Sequence, residues 1–409
     1  MDEMTLTSPD IIIQSSTVPW AMRQVIRALQ SLESGSLDIT LPDGRHVRFS
    51  GPSAGPHARF TIRSYAFIRR LSHGIVGFAD GYIADEWDAD DLASLLTLFA
   101  ANQSVIKRFS ANVLVRLVQM ARHALNRNSR AGSRRNIHAH YDLGNAFYAS
   151  WLDRSMTYSS GLKVGEDLEA SQTRKYAAIA ALAGIGAGDH VLELGCGWGG
   201  FAEYAAREIG CQVTALTISE AQYEYAKKRM ADAGIAGKVT VKLCDYRDES
   251  GQYDRIVSIE MFEAVGEAYW RTFFDTLRLR LKPGGQAALQ IITIREDLFA
   301  RYRREMDFIR HYIFPGGMLP TLPHLDDMGI QAGLEKIGTE LFGKDYAATC
   351  RHWRLRFEDA WPFISTLGFD ARFQRLWRFY LAYCEAGFEA GSTNVCQIAF
   401  RKPALSEAV

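Results

Sequence analysis

Between Asp189 and Phe201 the chain reads DHVLELGCGWGGF, and here residue types and spacing first suggest chemistry. Val191, Leu192 and Leu194 form an apolar run of the length of a buried parallel strand. Glu193 lies inside the end of that run, and Gly195, Cys196, Gly197, Gly199 and Gly200 follow within a few residues. Phe201, Ala205 and Ile209 then recur along one side of a helix. Glycine lets a backbone turn tightly and come close to a ligand, and the N–H groups that open a helix can donate to one.

Two ligands use a strand, a glycine turn and a helix in this order. Gly195, Gly197 and Gly200 satisfy G-x-G-x-x-G, the dinucleotide pattern. S-adenosylmethionine (SAM) is the other candidate, and it is favoured by the acid two residues before the first glycine. The next strand ends in Ala215-Leu216-Thr217, with no carboxylate at its tip for an adenosine ribose. A tight turn that binds nothing is the structural alternative.

The elements that must hold this turn alternate regularly. Strands are expected over 212–216, 239–243, 255–259 and 287–294, with helices over 220–233 and 270–281. The second helix is stopped by Lys282-Pro283-Gly284-Gly285. This is the pattern of an α/β fold, a Rossmann-like doubly wound parallel sheet with ligands beyond the carboxyl ends of its strands.

Ahead of it, the spacing predicts a smaller α+β domain. A helix opens at Pro19, buries Met22, Val25, Ile26, Leu29 and Leu32, and ends at Gly35. A hairpin of 37–41 and 47–49 turns at Pro42-Asp43-Gly44, and 59–62 adds a strand. Asp90 and Asp91 start a helix that buries Leu92, Leu95, Leu96 and Phe99, and a second helix runs over 105–125. The polar stretch NRNSRAGSRRN marks a boundary. The expected domains are therefore 1–125, a basic linker over 126–137, and a catalytic domain over 138–409.

Formal net charge is zero, so no global field favours nucleic acid. From Leu92 to Tyr141 there is nonetheless no acidic residue, while Lys107, Arg108, Arg116, Arg122, Arg127, Arg130, Arg134 and Arg135 fall within it. This is either a solvated face with a basic linker or a surface for anionic lipid headgroups. Few aromatics interleave with these charges, which argues against single-stranded nucleic acid. Six cysteines form no C-x-x-C pair or metal spacing and read as reduced thiols. The acidic start and the short apolar runs lead to an expectation of a cytoplasmic protein resting on the inner face of a membrane.

Taken together, the motifs resemble one family. HYDLGN ending at Asn145, MTYSSG at 156–161, VLELGCGWGG, LTISEAQ at 216–222, CDYRD at 244–248, MFEAVG at 261–266 and YIFPGGMLP at 312–320 are similar to the cyclopropane-fatty-acyl-phospholipid synthases and mycolic acid methyltransferases. The resemblance implies SAM-dependent methylation of a cis double bond in the acyl chain of an unsaturated phospholipid, through a carbocation that closes to a cyclopropane. It also implies a homodimer. SAM contacts would fall on Tyr158, Ser159, Glu193, Gly195, Cys196, Gly197, Gly199, Gly200, Thr217, Ser219, Gln222, Asp245, Tyr246 and Ile259. Gln222 would take the ribose, and Asp245 with Tyr246 would flank the adenine. Core packing is the competing reading for Tyr158 and Tyr246.

In this family the proton leaving the cation is thought to pass to a bicarbonate held in a small polar cage. By resemblance the cage comprises Glu263, Ile292 and Tyr346, with Ser160 where the family has cysteine and Gln290 where it has histidine. Ala264 replaces a further histidine. Serine and glutamine can donate to an anion, but glutamine cannot titrate as histidine does. Two outcomes stay open: ring closure, or methylation ending in a methyl or methylene branch, as in 10-methyl and methyl-furan fatty acids. Tyr141, Phe262 and Tyr312 are candidates for lining the acyl path, with core packing as the alternative. A small-molecule N- or O-methyltransferase and an inactive lipid-binding protein are the readings from other classes.

Overall fold

A computed structural model describes residues 6–103 and 143–404. Tyr141, the basic residues from Lys107 to Arg135 and the expected linker lie outside the described residues. Two compact units are present. The first takes 6–103 together with 304–312 and 361–392; the second takes 143–303, 313–360 and 393–404. The domain limits expected from sequence do not provide for the two later stretches that group with the first unit. They do so because the helix Ala371–Glu389 packs on the helices Ile75–Ile83 and Leu92–Ala101, burying Trp377, Phe379 and Leu381.

The first unit holds a four-stranded sheet in the order β2-β1-β3-β4, formed by β1 (Ser34–Thr40), β2 (His46–Ser50), β3 (Ser53–Ile62) and β4 (Trp87–Ala89). The expected hairpin is present, with Leu37 opposite Phe49 and Ile39 opposite Val47. Asp91 caps the helix Leu92–Ala101 by accepting from the Ala93 N–H at 3.1 Å. One expectation fails. The helix Trp20–Leu29 stops well short of Gly35, which lies inside β1 at φ +76°. A side chain there would meet the Pro56 carbonyl at 2.2 Å, so close backbone approach, not a helix end, calls for that glycine.

The second unit is built on a seven-stranded sheet in the order β10-β11-β9-β8-β5-β6-β7. Its strands are β5 (His190–Leu194), β6 (Gln212–Thr217), β7 (Val239–Leu243), β8 (Tyr253–Ile259), β9 (Leu281–Ile294), β10 (Glu335–Leu341) and β11 (Thr393–Arg401). β5 to β9 pair in parallel, as their apolar runs imply, and β11 and β10 add antiparallel pairs. The order reverses beside β5, a topological switch point at which such sheets bind ligands. Apolar clusters cover the sheet. One gathers Phe262, Trp270, Phe273, Phe274 and Phe400; the other gathers Ile179, Phe201, Ala205, Val213 and Met230.

Phe274 is fully buried and meets Phe400 of β11 edge-on at 5.5 Å. Phe274→Ala is expected to cost about 3–5 kcal/mol through lost burial and the cavity left behind. Chemical denaturation checks this; an unchanged midpoint would contradict the packing.

Candidate active site

The glycine turn needs its glycines for two reasons. Gly195, Gly197 and Gly199 have φ of +77°, +53° and +86°, which side chains rarely adopt. In addition, a Cβ on Gly195 would meet Met261 at 2.6 Å, and one on Gly200 the Tyr176 hydroxyl at 2.4 Å. The N–H groups of Gly195 and Cys196 donate to the Leu216 carbonyl at 3.0 and 2.8 Å, fastening the turn to the end of β6. Cys196 is buried and its thiol is pushed well up by burial, so it packs and does not react.

The other expected SAM residues gather at the carboxyl ends of β5 to β8. The Thr217 hydroxyl donates to the Gln222 amide oxygen at 2.9 Å and accepts from the Ser219 N–H at 3.1 Å. Ser219 in turn caps the helix Glu220–Asp232 that carries Gln222. Asp245 receives the Arg247 guanidinium at 2.9 and 2.6 Å in a fork-like, charge-assisted pairing. Tyr246 stands edge-on to Phe273 at 5.5 Å, and Ile259 ends β8. Two buried polar atoms here have no partner among the described residues: Oε2 of Glu193 and the Tyr246 hydroxyl. Open space beside Gly197 together with these orphan groups fits a polar ligand such as SAM. When bound, SAM supplies an electrophilic methyl group.

Tyr158 packs with Tyr148, Trp151 and Trp353 at ring separations of 5.4, 5.5 and 5.3 Å. Trp198 of the glycine turn joins Tyr148 at one side, and Tyr346 joins Trp353 at the other. Aromatic rings thus run from the turn to the expected cage, most of them as buried as core side chains. Phe262 is 1% exposed within the core cluster of Trp270, Phe273 and Phe274, and Tyr312 belongs to the first unit, where its hydroxyl donates to Asp80.

The cage residues do come together. Three of them close on Glu260, at the carboxyl end of β8. The Ser160 N–H donates to Glu260 Oε1 at 2.9 Å, the Gln290 amide donates to the same oxygen at 2.8 Å, and the Tyr346 hydroxyl donates to Oε2 at 2.5 Å. The Ser160 hydroxyl turns away to the Gly161 carbonyl at 2.8 Å, so this residue contributes its backbone. Gln290 is itself held by Gln397, which donates to its amide oxygen at 3.1 Å. Glu263 accepts from the Ile292 N–H at 2.5 Å through Oε1, while its Oε2 is buried with no partner among the described residues. Burial, and then the charge of Glu260, push the Glu263 carboxyl up to about 8. Burial also raises Glu260, but the Tyr346 hydroxyl, the Lys175 charge, the Ser160 N–H and the Gln290 amide pull it back.

Sequence reasoning passed over two of these groups. Glu260 has a detectable signal, an acid just past a strand's carboxyl end where ligands sit, but the neighbouring FExxG motif drew attention to Glu263. Lys175 is fully buried, donates to the Ser159 hydroxyl at 2.6 Å and is depressed to about 7 by burial. Its signal is a charge on the buried stripe of the helix Leu168–Ala183, in line with Leu168, Ser171, Gln172 and Ile179.

The profile of the mycolic acid cyclopropane synthetase family matches residues 128–398. The chain belongs to that family. It is 37% identical over 372 residues to the tuberculostearic acid methyltransferase UfaA1 of Mycobacterium tuberculosis, covering 88% of this chain and 86% of that one. It is 33% identical over 383 residues to the cyclopropane-fatty-acyl-phospholipid synthase of Escherichia coli, covering 89% and 96%. The structure of the mycolic acid cyclopropane synthase CmaA1 in complex with SAH and CTAB superposes with a TM-score of 0.62 at 27% identity, over 66% of this chain and 98% of that one. Membership makes the chain a SAM-dependent methyltransferase of lipid acyl chains. The fold and the methyl donor agree with the expectations from sequence.

Glu263 makes stability depend on pH. Its folded pKa, about 8, lies above the ordinary glutamate value of 4.5, so the folded protein holds a proton that the unfolded chain releases. That contribution is complete below about pH 4.5 and is lost as pH rises toward 8. Glu263→Gln keeps the acceptor for Ile292 but cannot ionise. The melting temperature of the variant should fall less than that of the wild type between pH 5 and 8. Equal slopes in the two proteins would contradict a buried, proton-holding Glu263.

Proposed function

We propose that this protein transfers the SAM methyl group to a cis double bond of a phospholipid acyl chain, and that the reaction ends in a methyl-branched olefin instead of a cyclopropane. One observation carries the reading: Ser160, Gln290 and Tyr346 all donate to the chain's own Glu260, so the site departs from the free-anion cage that the resemblance links to ring closure. The likeness to a tuberculostearic acid methyltransferase supports it. Ring closure is the second reading, favoured by the retention of Glu263, Ile292 and Tyr346 in one cage and by the likeness to the Escherichia coli synthase.

An alkene is a weak nucleophile, so the site must align the π bond with the methyl group and exclude water from the cation that follows. The aromatic run from Trp198 to Tyr346 suits both tasks. No helix among the described residues is long and apolar enough to cross a membrane. We place the protein, as a homodimer, on the inner, anionic face of a cytoplasmic membrane, reached through the basic stretch from Lys107 to Arg135.

Incubation with SAM and vesicles of cis-unsaturated phospholipid, followed by mass spectrometry and NMR of the acyl chains, tests the product. The expected result is a gain of one CH2 with olefinic signals retained. Cyclopropane signals would establish the second reading, and no gain on any unsaturated lipid would remove both. Binding to anionic vesicles should weaken steeply with added salt; salt-insensitive binding would take that role from the basic stretch.

A further inference from the structure

We propose that the Glu260 carboxylate is the proton acceptor of this enzyme, a built-in anion where a free one would otherwise be needed. The inference rests on the methyl-transfer reading but not on which product forms.

The position of Glu260 is specific. β8 lies between β5 and β9 in the sheet, so its carboxyl end adjoins both the glycine turn and the cage strand. Met261, the next residue, packs directly over Gly195 of that turn. The Glu260 N–H donates to the Gln290 carbonyl at 2.8 Å, locking its backbone to β9. Glu260 also has φ +50°, one of four residues other than glycine with positive φ among those described. Such a conformation is costly for glutamate and collects at functional sites when the surroundings enforce it. Here the result is a carboxylate held from three sides, by Ser160, Gln290 and Tyr346.

The chemistry needs one such group. The π pair of the double bond forms the new C–CH3 bond, the electrons of the S–CH3 bond stay on sulfur, and the other alkene carbon is left cationic. A neighbouring C–H bond then gives its pair to that carbon and its proton to Glu260. Loss from the methyl-bearing carbon restores a double bond with a methyl branch; loss from the methyl itself closes a ring. The proton passes to solvent after product leaves, so no oxidant or further reactant is consumed. Two other acids flank the site. Glu193 and Glu263 are both held up to about 8 by burial, and neither receives a comparable set of donors. Among these three, Glu260 is the acid held by three hydrogen-bond donors.

The test uses the full-length protein, SAM and cis-unsaturated phospholipid vesicles, with SAH affinity as the check on folding. Glu260→Gln keeps the size of the side chain but cannot take a proton. Glu260→Gly relieves the positive φ and opens a space for a small anion. Wild-type turnover should be indifferent to removal of bicarbonate and CO2. Both variants should bind SAH within about 2-fold of wild type and lose roughly 10²–10⁴-fold in turnover. Formate or bicarbonate should restore Glu260→Gly by at least about 10-fold and leave Glu260→Gln unchanged. Wild-type rates in Glu260→Gln, loss of wild-type activity in bicarbonate-free buffer, or no rescue of Glu260→Gly would each overturn the inference. A wild-type protein that methylates no lipid would instead overturn the functional reading and this inference with it.

Discussion

A half-buried carboxylate gripped by three hydrogen-bond donors is the constraint on which this site depends. Taking an unpaired carboxylate out of water costs several kcal/mol, and holding glutamate at positive φ costs about 1–3 kcal/mol more. Glu260 bears the second cost and avoids much of the first, because Ser160, Gln290 and Tyr346 reach it from separate parts of the chain. Each donor has its own support. Gln290 is fixed through Gln397 across the β9–β11 pair, and Tyr346 packs on Trp353. The antiparallel edge of the sheet therefore serves the site directly, although it lies beyond the parallel core that holds the glycine turn.

The acids of the site are sorted by their surroundings. Glu193 and Glu263 are desolvated with one oxygen each unpartnered among the described residues, so near neutrality they retain protons. Glu260 has its oxygens satisfied. The charge of Glu260 adds to burial in raising Glu263. A carbocation formed here would face the hydrogen-bonded Glu260 carboxyl and aromatic rings. Buried Lys175, hydrogen-bonded to Ser159, adds a proton-holding group between the SAM side and the cage side.

Much of this was legible in the sequence. The parallel strands and the glycine turn follow from apolar runs broken by glycine, because a strand buried on both faces has no polar positions to blur its limits. β10 was missed for the opposite reason. Glu335–Leu341 is an exposed edge strand of mixed polarity, and its pairing with β11 is set by contacts far apart in sequence. Gly35 was misread because a helix end and a close backbone approach both select glycine. The cage was legible as a set of residues but not as a geometry. Motif position alone could not show that Ser160 offers its N–H in place of its hydroxyl, or that Glu260 stands where a free anion was expected.

A crystal structure of the protein with SAH, grown in bicarbonate-containing buffer, would test the central claim most directly. Density for the Glu260 carboxylate between the Ser160 N–H, the Gln290 amide and the Tyr346 hydroxyl, with no separate anion among them, is the expected result. A trigonal anion on those three donors, with Glu260 turned aside, would contradict it.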